Sequence, residues 1–402
     1  MHYNNLKQYF PIYDKNPDLA YLDSAASSLK PKVVIDEIDN YYNNLGVNVH
    51  RGVYDLSYRA TDLYEEARTK IASFINAKFE EVVFTRGCSS ALNMVCTMLS
   101  EILNDGDEII SSELEHHSSI LPWMNLKRFK KVNVKYIPLN EEGRITFESF
   151  LNTLTENTKV VAINHVSNVL GYVCPIEQII EECNKRNIIT VIDGAQAIPH
   201  KKVDVKKLNC DFYCFSGHKM CGPTGIGVLY GKLDLLEKLN PVEFGGDMAD
   251  IVYKDSFTFK SSPYKFETGT PLISEAIGLG KAVEFLNEIG MDYIENREKE
   301  LLQYTLNKLK EVEGLTIYNK SCETGILSFN IDGVHPHDAA SIFDKNKVCI
   351  RAGHHCSQLI TRWLNQISTL RASFYFYNDF SDCDKFVESV KEAIDFFGGF
   401  DL

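Results

Sequence analysis

A chain of 402 residues is long enough for two or three domains and a large core. Its 44% hydrophobic and 24% charged residues are ordinary for a soluble globular protein, while a net charge of -13 without a basic run excludes nucleic acid and an anionic membrane surface as partners. No apolar run reaches membrane-spanning length, the N-terminus lacks the apolar core of a signal peptide, and the 11 cysteines include no Cys-x-x-Cys pair, so a cytoplasmic protein with mostly free, buried thiols is expected.

Residues 1–20 are polar and aromatic and read as a short helix and an arm. Tyr21-Leu-Asp-Ser-Ala-Ala26 reads as a short strand ending in small residues, which either let a ligand approach the backbone or form a plain turn. A helix starts near Pro31, and Asn48-Val-His50-Arg51-Gly52 is a loop. Leu56, Ala60, Leu63, Ala67, Ile71 and Phe74 then recur at helical spacing. Beyond them strands alternate with helices. Val82–Thr85, Glu108–Ser112, Val134–Leu139, Val160–Asn164, Ile188–Asp193, Asp211–Ser216 and Ile226–Gly231 predict a seven-stranded, mostly parallel sheet. Helices are expected from Cys88, from His117 and from near Pro175. The chain turns irregular past Pro241, and Lys265-Phe-Glu-Thr-Gly269-Thr270-Pro271 is a further turn. A second unit follows, with helices over Glu275–Ile289 and Met291–Leu309, strands around Leu327 and Val348, and a last helix carrying Phe386, Val390, Ile394 and Phe397 on one face. The expected division is an arm at 1–20, a large α/β domain at 21–270 and a smaller α+β domain at 271–402.

Ligands gather at the carboxyl ends of strands in such sheets, and the chemistry-bearing residues fall there. Asp211-Phe-Tyr-Cys-Phe-Ser-Gly-His-Lys219 is a buried strand presenting His218 and Lys219 at its end, followed by a bend through Cys221–Gly227. A lysine so close to a core tends to lose its proton, and a neutral amine joins an aldehyde cofactor such as pyridoxal phosphate. The plainer alternative is a lysine snorkelling from a strand end. Asp193 ends the most buried strand and suits the protonated ring nitrogen of that cofactor, or else caps a turn; Gln196 then donates to the phenolic oxygen, or bonds backbone. Arg86-Gly-Cys-Ser-Ser90 joins a strand to a helix, either as a phosphate cup with Ser89 as its side-chain contact or as an ordinary serine cap. Ser216 and His218 can add donors to the same phosphate. His116 either stacks on the cofactor ring or caps a helix. Arg351-Ala-Gly-His354-His355-Cys356 puts two imidazoles before a thiol, and neighbouring cations enrich a thiolate; a zinc site is the rival. Arg371, at the start of an aromatic strand, grips a substrate carboxylate or forms a surface ion pair.

Taken together these stretches, with His165-Val-Ser-Asn168-Val-Leu-Gly171, Gly222-Pro-Thr-Gly225 and Arg371-Ala-Ser373, resemble the cysteine desulfurases of the Suf group, in the class V aminotransferase branch of the fold-type I pyridoxal-phosphate enzymes. The likeness runs over nearly the whole chain. It implies that Lys219 is the Schiff-base lysine, that Asp193 pairs with the ring nitrogen and that His116 stacks on the ring. It further implies that Gln196 and Asn168 frame the cofactor, that Cys88, Ser89, Ser216 and His218 hold the phosphate, and that Thr270 reaches the partner subunit's phosphate in a homodimer. Arg371, Asn168, His50 and Ala26 would contact L-cysteine, and Cys356 would accept its sulfur as a persulfide, leaving alanine. A sulfur-acceptor protein of the Suf system and iron–sulfur cluster assembly lie downstream on this reading; a selenocysteine lyase or another class V enzyme is the alternative. The short loop after Cys356 is similar to the Suf group rather than to the Nif/Isc group. Two departures stand out: Gly87-Cys-Ser-Ser90 replaces the usual Gly-Thr-Thr-Glu, and Leu272 follows Gly-Thr-Pro where Asn is common.

Overall fold

The computed structural model describes residues 3–398; the outermost residues of the expected arm and of the last unit, 1–2 and 399–402, lie outside them. The large sheet comprises β1 (Val82–Thr85), β2 (Glu108–Ser112), β3 (Asn133–Ile137), β4 (Thr158–Asn164), β5 (Ile189–Asp193), β6 (Phe212–Ser216) and β7 (Gly227–Gly231). Its spatial order is β1-β7-β6-β5-β4-β2-β3, with β7 antiparallel to both neighbours and the remaining pairs parallel. These are the seven expected strands, each within a few residues.

Continuous apolar runs are what a sheet covered on both faces needs, because side chains alternate along a strand. On β4, Val161 and Ile163 join one core while Val160 and Ala162 join another. On β6, Tyr213 and Phe215 face the first core and Phe212 and Cys214 the second. The Cys88–Ser100 helix and the His117–Leu126 helix follow β1 and β2. The parallel register brings Asn164 beside Asp193 and Asp193 beside Cys214, so the carboxyl ends of β4, β5 and β6 lie in a row.

The second unit has a four-stranded antiparallel sheet, β8 (Leu315–Ile317), β9 (Ile326–Ile331), β10 (Arg351–Gly353) and β11 (Thr369–Ser373), in the order β8-β9-β11-β10. The helices Met291–Leu309, Pro336–Lys345 and Phe380–Gly398 pack beside it, through Leu301, Phe329, Phe343, Phe386 and Val390.

Four details differ from the sequence reading. The aromatic run Phe374–Tyr377 is not strand: β11 stops at Ser373 and the run turns through the core, every ring buried. Only Ala20–Tyr21 of the first motif is strand, and it pairs in parallel with Val348–Cys349 of the second unit. The Ile273–Ile289 helix packs on the Lys32–Asn44 and Asp55–Phe74 helices, so it sits with the large unit although it lies beyond residue 270. The N-terminal segment is also packed down: Phe10 is fully buried against Phe285 and Tyr377.

Candidate active site

One cavity of about 240 Å³ opens where the strand tips of the large sheet face the second unit. Lys219 lines it from one turn of 3-10 helix, Gly217–Lys219, that continues directly from β6. Burial pushes its amine below the ordinary lysine value of 10.5, against the opposing pull of Asp193 and Cys88. The lysine therefore does not snorkel to bulk solvent. Asp193 ends β5, and both hydrogen bonds its carboxylate accepts fall on Oδ1, from the Ala195 amide at 3.0 Å and the Cys88 thiol at 3.3 Å. Burial holds the Cys88 thiol protonated, well above its ordinary range, and the Asp193 charge adds to this.

The Cys88–Ser100 helix begins at the cavity wall. Its cap is Gly87, at φ 142°, not a serine. A side chain on the facing Gly227 would meet the Gly87 Cα at 2.5 Å, so Gly227 is required for this close approach, and Gly87 for its positive φ. The first-turn amides of a helix have no partners inside it and suit an anion. Here the Cys88 amide donates to Ser216 Oγ at 2.7 Å, and Ser89 Oγ lies 2.5 Å from Ser118 Oγ. His116 proves to be both a helix cap and a cavity residue: its Nδ1 accepts from the Ser118 amide at 3.1 Å. Nδ1 is therefore the unprotonated nitrogen. Burial and the nearby Lys219 push this imidazole down to about 4, and His218, on the same wall, is pushed down to about 4 by burial and Lys219.

The second unit contributes Cys356 and Arg371. Cys356 is exposed and lines the cavity. Its loop puts two consecutive non-glycine residues in the left-handed region, His355 at φ 53° and Cys356 at φ 55°, a conformation costing about 1–2 kcal/mol per residue. Bonds to the large unit hold it there. Asn168 Nδ2 donates to the His355 carbonyl at 2.9 Å, Ser357 Oγ donates to Asn168 Oδ1 at 3.0 Å, and the His117 amide donates to the Cys356 carbonyl at 2.7 Å. Burial and Arg371 drive His355 down to about 2, so it is neutral and is not the cation beside the thiol; the guanidinium of Arg371 has that place. Arg371 is buried, not a surface residue. Nη1 donates to the Asn168 carbonyl at 2.8 Å, Nη2 pairs with Asp23 at 3.3 Å, and Nε is buried without a partner. Among the described residues no group of three or more His, Cys, Asp or Glu is placed to hold a metal.

Ala26, Cys88, Ser89, His116, Asn168, Asp193, Gln196, Ser216, His218, Lys219, Cys356 and Arg371 thus line one cavity. For Gln196 the structure shows the second of its two readings: Nε2 donates to the backbone carbonyl of Ala25 at 2.7 Å, while Oε1 is buried without a partner. His50 and Thr270 stand apart. His50 pairs with Glu65 at 2.7 Å and lines a separate cavity with Tyr264 and Glu267, while Thr270 is exposed beside a third. Sequence reasoning assigned no role to Asp23, Asn164 or Arg351. For Asp23 the signal available was its place inside the Tyr21–Ala26 motif; its pairing with Arg371, and with Arg351 at 3.1 Å, is seen only in the structure.

The aminotransferase class-V family profile matches residues 20–386. The chain belongs to that family. Within it, the chain is 48% identical over 403 residues to a probable cysteine desulfurase of Halalkalibacterium halodurans, covering 99% of each chain. It is 46% identical over 401 residues to a probable cysteine desulfurase of Staphylococcus aureus, covering 98% of this chain and 97% of that one. Among solved structures, the apo cysteine desulfurase of Thermococcus onnurineus NA1 superposes with a TM-score of 0.93 at 37% identity, over 97% of both chains. The cysteine desulfurase CsdA of Escherichia coli follows at 0.91 and 35%, over 97% of this chain and 98% of that one. The fold-type I architecture of this family is the one described above.

The lining residues fit the family's cofactor, pyridoxal phosphate. An amine whose pKa burial lowers and a carboxylate with one oxygen uncommitted line the same cavity, and the orphaned Gln196 Oε1 and Arg371 Nε call for polar partners there. The first-turn amides and Ser216 provide the anion end.

Proposed function

We propose that this protein is a cysteine desulfurase of the Suf group, which takes sulfur from L-cysteine, releases L-alanine and carries the sulfur as a persulfide on Cys356 to an acceptor protein for iron–sulfur cluster assembly. The observation that carries the reading is that Lys219 and Asp193 from the large unit share one cavity with Cys356 and Arg371 from the second. When bound, pyridoxal phosphate supplies an aldehyde for the substrate amine and a ring that accepts the electrons released at Cα.

The residues divide the remaining work. Arg371 binds the substrate carboxylate through its uncommitted Nε edge, its other nitrogens being fixed by Asn168 and Asp23. Asp193 would hold the proton on the cofactor's ring nitrogen, and His116, a neutral imidazole whose hydrogen sits on Nε2, would wall the cofactor space. The first turn at Cys88 and Ser89, with Ser216 and His218, takes the phosphate; Gln196, Asn168 and Ala26 bound the substrate space. Lys219, being easily deprotonated, takes the Cα proton. The Cys356 thiolate attacks the substrate sulfur. A sulfur–sulfur bond forms as the Cβ–S bond breaks, the electron pair stays on the carbon skeleton, and protonation there gives alanine. Cysteine plus the Cys356 thiol thus becomes alanine plus the Cys356 persulfide, with atoms and electrons balanced.

Exposure of Cys356 supports transfer to a partner, and the short segment between it and the Gln358–Trp363 helix supports the Suf assignment. Exposed apolar side chains at Val53, Tyr54, Phe244, Val252 and Tyr253 support a homodimer, in which His50 and Thr270 serve the partner's cavity. Among the described residues no helix is long and apolar enough to cross a membrane, and a cytoplasmic setting accords with the reduced cysteines. The direct test is borohydride reduction of the cofactor-loaded protein. Wild type should retain a covalent adduct on Lys219 and Lys219→Ala none; an adduct on another lysine would overturn the assignment.

A further inference from the structure

Four donors from one short segment converge on the carbonyl oxygen of His218. They are the Ser28 amide at 3.0 Å, the Ser28 hydroxyl at 3.1 Å, the Ser27 hydroxyl at 3.2 Å and the Lys30 amine at 2.8 Å. A carbonyl has two lone pairs, so this is more than satisfaction requires. Ser28 Oγ also accepts from the Cys221 amide at 2.7 Å, on the far side of the turn. Residues 27–30 therefore brace the middle of the 3-10 turn that carries Lys219 and the backbone two residues beyond it.

Lys30 is the unusual member. Its other acceptors are the Ser28 carbonyl at 2.5 Å and Ser27 Oγ at 3.4 Å, so all three are neutral oxygens. Burial pushes this amine down to about 8, with Cys221 pulling the other way. A hydroxyl would satisfy the carbonyl at a smaller desolvation cost. What an ammonium adds is charge, felt next door: Lys30 is one of the groups that hold His218 neutral, after burial and Lys219.

We propose that Lys30 is a positioning residue, pinning the His218–Lys219 peptide so that the Lys219 amine occupies one place in the cavity. This rests on the reading of Lys219 as the cofactor-binding amine. The experiment compares wild-type, Lys30→Met, Lys30→Arg and Ser28→Ala holoenzymes by pH titration of the visible absorbance of the Lys219–cofactor linkage, alongside kcat and KM for alanine release from L-cysteine. Lys30→Met should move the titration midpoint by about half a pH unit or more and lower kcat about tenfold with KM little changed, and Lys30→Arg should recover most of the midpoint. An unshifted midpoint in Lys30→Met, whether or not thermal stability falls, would reduce Lys30 to a packing role and overturn the proposal. If Lys30→Met fails to fold, Ser28→Ala decides, since it loosens the same carbonyl: a shifted midpoint supports the proposal and an unshifted one ends it. Absence of any visible band in the wild type would instead overturn the reading of Lys219.

Discussion

The backbone amide of His117 donates to the carbonyl of Cys356 at 2.7 Å. His117 opens the helix that His116 caps, so this helix and the loop bearing the thiol are tied across the two units by that bond and by the Gln358 amide, which donates to His117 Nε2 at 3.2 Å. Asn168 adds two more ties, to the His355 carbonyl and from the Ser357 hydroxyl. Together they hold a loop whose left-handed residues would otherwise relax.

Asn168→Ala removes both side-chain ties. Alanine release should fall by about tenfold to a hundredfold while cofactor absorbance persists, because the thiol is misplaced rather than lost. Amide hydrogen exchange across residues 354–358 should quicken in the same variant. Normal exchange there with low activity would place the Asn168 effect elsewhere.

Arg371→Lys keeps the charge and loses the planar fork. With charge-assisted hydrogen bonds contributing about 1.5–3 kcal/mol, KM for L-cysteine should rise roughly tenfold to a hundredfold. Steady-state kinetics with L-cysteine check this. An unchanged KM would mean that the carboxylate is held by another group, of which Arg351 is the nearest candidate on the same wall.

Two buried imidazoles, in addition to His116 and His218 of the cavity, contribute to the acid behaviour of the apoprotein. Burial drives His165 down to about 3 and His355 down to about 2, from an ordinary 6.5. Both are neutral when folded and take up protons when unfolded, so their contribution to stability is present above pH 6.5 and is lost as pH falls. Each should contribute up to about 1.4 kcal/mol per pH unit below that point. Urea unfolding across this range measures the slope; a flat profile would contradict neutral burial of both rings.

Glu115 carries the opposite sign. Burial raises its carboxyl from 4.5 to about 8, although the Ser112 hydroxyl and the Asn164 amide both donate to Oε1, at 2.7 and 3.0 Å. A group that keeps its proton when folded contributes stability below 4.5, and that contribution is lost as pH rises through about 8. Glu115→Gln keeps the acceptor and removes the titration. Its melting temperature should therefore gain on the wild type as pH rises through this window, and parallel curves for the two proteins would show that Glu115 does not titrate there.

The large unit was legible because most of its strands are apolar runs buried on both faces that alternate with helices; that pattern placed β1 to β7 within a few residues. The second unit was less so. β8 and β10 have three residues each, and β10 with its Arg-Ala-Gly sequence carries no strand propensity, being held by pairing with β11. The aromatic run 374–377 misled because aromatic residues favour strands, whereas here they pack a turn into the core between the units. Among site residues, Lys219, Asp193 and Cys356 were readable from residue type beside a strand tip or a glycine bend. Lys30 was not, because it acts through a carbonyl distant in sequence.

The central claim is that sulfur leaves cysteine and stops on one thiol among eleven. Brief treatment of the loaded enzyme with L-cysteine, followed by peptide mass spectrometry without reductant, should find one added sulfur atom on the peptide containing Cys356, in step with the first equivalent of alanine. Alanine formed with no sulfur on Cys356, or with the sulfur on another cysteine of a Cys356→Ala variant at an undiminished rate, would contradict the account.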